Sequence, residues 1–188
     1  MAKRIQRKDA PTTNRLMAYA IDWALGGIVS GLPAVLIYGF VTQSNEMFSD
    51  LYVFEALGFS QWLALFTGLL CLVFSYLYYV VIPYKKFKGQ TIGKKIMKIE
   101  IVSQQETPVS LKQLWIRNAC ILLLECPMYV ISRYFLQMIT LIIRFQVESV
   151  WTFVGIALTI VSSFMVIYTK DHLAIHDRLS KTKVVQSM

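Results

Sequence analysis

Four apolar runs set the layout of the chain: residues 16–41, 61–84, 118–143 and 150–169. Each is long enough for a transmembrane helix, which takes about 20 apolar residues to cross the hydrocarbon core of a bilayer. The second and fourth carry no charge, the first holds Asp22 alone, and the third holds Glu125 and Arg133. The third has two readings: one long helix, or a helix ending near Arg133 with an interfacial segment over 134–146. Pro33 is expected to kink the far half of the first helix. The polar intervals have patterns of their own. Met97-Lys98-Ile99-Glu100-Ile101 alternates apolar and charged positions, the period of a strand, and Lys183-Val184-Val185 is a candidate partner for it. Ser110 followed by Gln113 matches a capping box, so a helix starts near Leu111.

This pattern predicts an all-α protein: four transmembrane helices and a small cap built from the middle loop and the C-terminal tail, in one membrane domain over residues 1–188. A mean hydropathy of +0.53 and 56% hydrophobic residues exclude an ordinary soluble domain. Charge sets the orientation. The net charge is +8, and the basic residues flank the apolar runs: Lys3 to Arg15 in the N-terminal arm, Lys85 to Arg117 in the middle loop, Lys170 to Lys183 in the tail. Only Arg133 and Arg144 fall elsewhere, and the interval 42–60 has Glu46, Asp50 and Glu55 with no Lys or Arg. The positive-inside rule then makes residues 1–14, 85–117 and 170–188 cytoplasmic, with both termini inside. These segments face anionic lipid headgroups and do not form the continuous basic surface that nucleic acid binding needs. The apolar run after the basic arm is too long for a signal peptide and lacks a cleavage pattern.

The candidate chemistry is carried by charge in apolar surroundings. Asp22 in a spanning helix needs a partner, and Arg15, seven residues earlier, shares its face. Glu125 lies eight residues past Arg117, which places it at a similar depth to Asp22 if both helices run outward. Arg15, Asp22, Glu125 and Asp177 therefore form a candidate cluster, either an ion- or proton-handling site or a structural set of buried charges. Gly27 and Gly31, repeated by Gly26 and Ser30, give the first helix a small-residue face that another helix can approach. The stretch Gly89-Gln90-Thr91-Ile92-Gly93-Lys94 lacks phosphate-loop spacing and has no Ser or Thr after the lysine, so it reads as a turn at the membrane surface. His172 and His176 stand four apart without a persuasive third ligand, so no metal or other cofactor is expected. Cys71, Cys120 and Cys126 read as small core residues. No Ser/His/Asp or Cys/His arrangement points to an enzyme.

Three blocks in order resemble the RDD family of small membrane proteins. Residues 14–22 (Asn14-Arg15 through Ile21-Asp22) resemble its opening helix, Gly89 to Ile99 its central G-x-T-x-G-K segment, and Leu173 to Val185 its closing signature with His176-Asp177. The resemblance implies a multi-pass protein of a bacterial cell membrane. It leaves two activities open. One is a component of monovalent cation/proton transport, which four helices would support only as a homo-oligomer. The other is a non-catalytic accessory or regulatory protein that binds another membrane protein through the small-residue face and the basic cap. The cap turn of Gly89, Thr91, Gly93 and Lys94 is expected to receive His176-Asp177, with Asp177 taking backbone amides.

Overall fold

A computed structural model describes residues 8–125 and 130–187. Its helices run α1 (Thr12–Thr42), α2 (Tyr52–Ala56), α3 (Gln61–Tyr76), α4 (Ile82–Lys85), α5 (Ile92–Ile96), α6 (Leu111–Leu124), α7 (Val130–Ile143), α8 (Val147–Tyr168) and α9 (Ile175–Ser180). Strands β1 (Ile99–Ser103) and β2 (Thr182–Gln186) complete it. α3 and α4 are joined by a π-helical turn over Leu77–Val81, so Gln61–Lys85 is one continuous helical rod. The turn has a local cause. Pro83 has no N–H to offer the Tyr79 carbonyl, and its ring crowds that carbonyl, so the ladder widens just before it.

Among the described residues, three helical segments are long and apolar enough to cross a bilayer: α1, the α3–α4 rod and α8. At 1.5 Å per residue, α1 is about 46 Å long, more than the hydrocarbon core requires, so its first turns with Arg15 project toward the cap. The run 118–143 is not one helix. It divides into α6 and α7, of 14 residues each and about 21 Å long, with α6 ending at Glu125 in a non-helical conformation. α6 begins beside the cap, and α7 ends where the Leu141 carbonyl accepts from Gln61 at the start of α3. The two halves together therefore run the length of the bundle. Glu125, at the end of α6, is fully buried. Cys126, read as a small core residue, lies outside the described residues.

The core has two centres. Ala34 and Tyr38 of α1 pack with Leu51, Phe54, Ala64, Cys71 and the α7 residues Ile131, Tyr134 and Leu141. At the other end Ala18, Val80 and Leu114 pack with Ile99, Ile101 and Val184, which fastens the cap to the bundle. The small-residue face of α1 is occupied from within. Gly26 lies against the Tyr79 ring, Gly27 against Val130 and Gly31 against Tyr134. It is therefore not a free surface for another protein, as one reading of the sequence required.

The cap contains the expected strand pair. β1 and β2 run antiparallel with Ile101 opposite Val184 and Glu100 opposite Val185. The chain is thus mostly helical with a two-stranded ribbon. The strand begins at Ile99, later than the alternation suggested, because Lys98 sits at φ 53° and turns the chain into it. The N-terminal segment lines the far edge of β2, where Ala10 N–H donates to Val184 and Gln186 N–H to Lys8. Ser110 and Gln113 form the capping box that starts α6 at Leu111.

Candidate functional site

The Gly89–Lys94 turn is a cradle for one carboxylate, that of Asp22. Gly89 at φ 91° reverses the chain after α4, which an L-residue would resist. Thr91 caps α5 and gives its hydroxyl to Asp22 Oδ2. Gly93 N–H donates to Oδ1 at 2.9 Å, and Lys94 Nζ reaches Oδ2 at 3.3 Å. Tyr78, aimed by the π turn, donates to Oδ1 at 3.0 Å, and Tyr79 donates to the Asp22 backbone carbonyl at 2.7 Å. A Cβ on Gly93 would sit 2.9 Å from Asp22 Oδ1, so only glycine lets α5 approach α1 this closely. The Lys94 ammonium is mostly buried. Burial pushes its pKa below the ordinary lysine range, and the neighbouring Asp22 partly restores it.

Arg15 is not the partner of Asp22. Its two terminal nitrogens donate to the backbone carbonyls of His172 at 2.7 Å and Val184 at 2.8 Å, which ties α1 to the tail. Sequence spacing identified a shared helix face, but the cation that reaches Asp22 comes from a turn 72 residues away.

The second cluster joins α6 to α9. Arg117 Nη1 pairs with Asp177 and donates to Thr182 Oγ1 at 2.9 Å. Arg117 Nη2 lies 2.9 Å from His176 Nε2. A guanidinium can only donate, so Nε2 accepts, and the ring proton sits on Nδ1. Nδ1 then donates to Glu125 Oε2 at 2.8 Å. Ser162 of α8 and the His176 backbone N–H both donate to Glu125 Oε1, at 3.0 and 3.3 Å. Burial alone would raise the Asp177 carboxyl, but the guanidiniums, Arg117 first and Arg15 beyond it, outweigh it and hold it at about 2. Asp177 also accepts from Ala174 N–H and caps α9. His176-Asp177 therefore docks on α6, not on the Gly89–Gly93 turn, and the amide expected for Asp177 serves Asp22 instead.

Asp22 and Glu125 thus do not share a site; each is surrounded by its own donors. Arg117, Ser162 and Tyr78 were not singled out as site residues by sequence. For Arg117 the signal was present, as a cation eight residues before Glu125. For the other two no local pattern exists. His172 hydrogen-bonds through Nδ1 to the Val166 carbonyl and takes no part in the cluster. Among the described residues no group of His, Cys, Asp and Glu is placed to hold a metal ion.

Both clusters border a half-open cleft of about 260 Å³ between α1, α6, α8 and the cap. Asp22, Lys94, Arg117, His176 and Asp177 lie on its wall, set in a largely apolar lining. The model of one protein family, the RDD family, matches residues 10–181. A search of curated proteins and one of solved structures gave no match.

Proposed function

The chain belongs to the RDD family of membrane proteins, and from that premise we propose that it is a proton-coupled component of monovalent cation transport in the cell membrane, with the Glu125–His176 pair handling the proton. The chain crosses four times, α6 and α7 together making the third crossing, and both termini and the cap face the cytoplasm. The observation that carries this reading is the buried run Glu125–His176–Arg117–Asp177 beside the cleft. A proton entering from the cleft goes to His176 Nε2 and displaces the Arg117 hydrogen bond. Asp177 Oδ2, 3.8 Å from Nε2, becomes the acceptor for the new N–H. The Nδ1 proton then passes to Glu125 Oε2, which leaves the imidazole neutral again. Asp22 is structural in this scheme, because four donors already meet its carboxylate. The oxygens that could meet a cation at either carboxylate are taken by N–H and O–H groups, which suits a proton better than a bare metal cation. The cation path then needs a second conformation or a second copy of the chain.

The test is purified protein in proteoliposomes with an internal pH-sensitive dye. Proton movement on imposing a Na⁺ or K⁺ gradient is expected, and Glu125→Gln and His176→Gln should abolish it in protein that still folds, at a lowered melting temperature. Flux that survives both changes rejects the scheme. The second reading is an accessory protein. It is favoured by α8, of which only Gly155 and Ser162 are buried in the chain, so most of its surface is left to lipid or a partner. Absence of flux together with a stoichiometric copurifying membrane protein would select it.

A further inference from the structure

We infer that the cleft between α1 and α8 binds one anionic phospholipid, with its phosphate at Arg15 and its acyl chains lying outward past Leu16 and Ile167. The inference is independent of the proton scheme. The position is that of a headgroup: Arg15 lies at the start of α1, Ile167 at the end of α8, and Ala174 and Val184 of the cap close the inner side. The cleft is half open and mainly apolar, with room for a headgroup and not for chains. Its mouth is flanked by exposed apolar side chains, Leu16 at 63% and Ile167 at 52% exposure, along which chains would run.

Charge selects an anion. Three cations and two carboxylates lie on the wall. Lys94 is paired with Asp22 and Arg117 with Asp177. Arg15 has no ion pair of its own: among the described residues its hydrogen bonds go only to carbonyls, Asp177 and Asp9 act on it only from beyond contact, and its Nε has no partner. Arginine favours phosphate because its planar fork matches two phosphate oxygens. A zwitterionic lipid would bring its own cation toward Arg15. A free phosphate would leave the apolar lining uncovered.

Native mass spectrometry of the detergent-purified protein tests this, with phosphatidylglycerol and phosphatidylcholine of matched chains. One phosphatidylglycerol per chain should be retained, with about tenfold preference over phosphatidylcholine. Arg15→Gln should erase the preference. Ser163→Trp, which fills the cleft from the exposed side of α8, should erase binding while melting as the wild type in lipid-free detergent. Lys112→Gln, a basic residue away from the cleft, should change nothing. Equal retention of the two lipids overturns the inference, as does phosphatidylglycerol bound to Ser163→Trp. Stabilisation by inorganic phosphate equal to that by phosphatidylglycerol would show an anion site without a lipid and would also overturn it. Should Arg15→Gln fail to fold, the Ser163→Trp result decides alone.

Discussion

The two ends of the bundle both pair carboxylates with basic side chains, yet they do so in opposite ways. At the loop end Arg133 spans Asp50 at 2.5 Å and Glu148 at 3.3 Å, and Arg144 meets Glu55 at 2.7 Å. These arginines are 57% and 59% exposed, and water can replace either partner. At the cap end Asp22, Glu125 and Asp177 are buried, and each takes several donors from different elements. Exposed pairs contribute little because water and salt compete for both ions. Buried ones also give modest net stability, but removing one partner strands the other. The same residue types thus mark a tolerant surface at one end and a locked joint at the other.

The largest expected effect comes from stranding a buried charge. Arg117→Met leaves Asp177 without its cation and should cost about 3–5 kcal/mol, read as lost expression or a steep fall in melting temperature. Wild-type melting of this variant would break the contrast. Next, Asp22→Asn and Lys94→Met should each destabilise clearly, and the double variant should fall short of their sum by about 0.5–3 kcal/mol. Strict additivity in that cycle would mean that the pair is not coupled. Gly93→Ala drives a methyl into the Asp22 carboxylate and should cost about 1–3 kcal/mol by overpacking.

A pH series sharpens the comparison from another side. Asp177 is held at about 2, below the unfolded value of about 3.9. A depressed carboxyl contributes stability that is complete above the unfolded value and is lost as pH falls through the folded one. The melting difference between wild type and Asp177→Asn should therefore be constant above about pH 5 and shrink toward pH 2. A difference that grows on acidification would contradict the assignment. The smallest effects belong to the loop end. Arg133→Gln should cost about 1 kcal/mol or less, and Arg144→Gln should leave melting unchanged. A large loss at Arg144 would show that the loop end is as locked as the cap.

Much of the framework was legible because its signals are local. Hydropathy located α1, the α3–α4 rod and α8, the alternation near Ile99 marked β1, and Ser110 with Gln113 marked the start of α6. Even the β1–β2 pairing followed, since Val184 and Val185 offered the only suitable strand in the tail. The errors arose where a local rule met a long-range competitor. Helical spacing favoured Arg15 for Asp22, but a face shared along one helix says nothing about what packs against it, and Lys94 arrived from the middle loop. Neither reading of the run 118–143 placed its break: the helix ends at Leu124, not near Arg133, and α7 runs through Arg133 to Ile143, because a break beside a satisfied Glu125 changes the mean hydropathy very little. Arg133 and Arg144, unexplained by the motifs, found their purpose in acids 83 and 89 residues away.

The π turn over Leu77–Val81 has a consequence for how this chain can change length. The turn carries one residue more than an α-helix would in the same rise. Deleting a single residue there would restore a regular helix and leave the two sides of the rod in their present rotation, whereas adding one would swing them by about 100° relative to each other. Either change would break the widened stretch from which both Tyr78 and Tyr79 reach Asp22. An insertion or deletion in the loop over residues 43–49, ahead of Leu51 and α2, carries no such phase, because a loop takes up the difference. Natural length variation in this architecture should therefore collect in that loop and avoid the turn, which supplies Tyr78 and Tyr79 to Asp22.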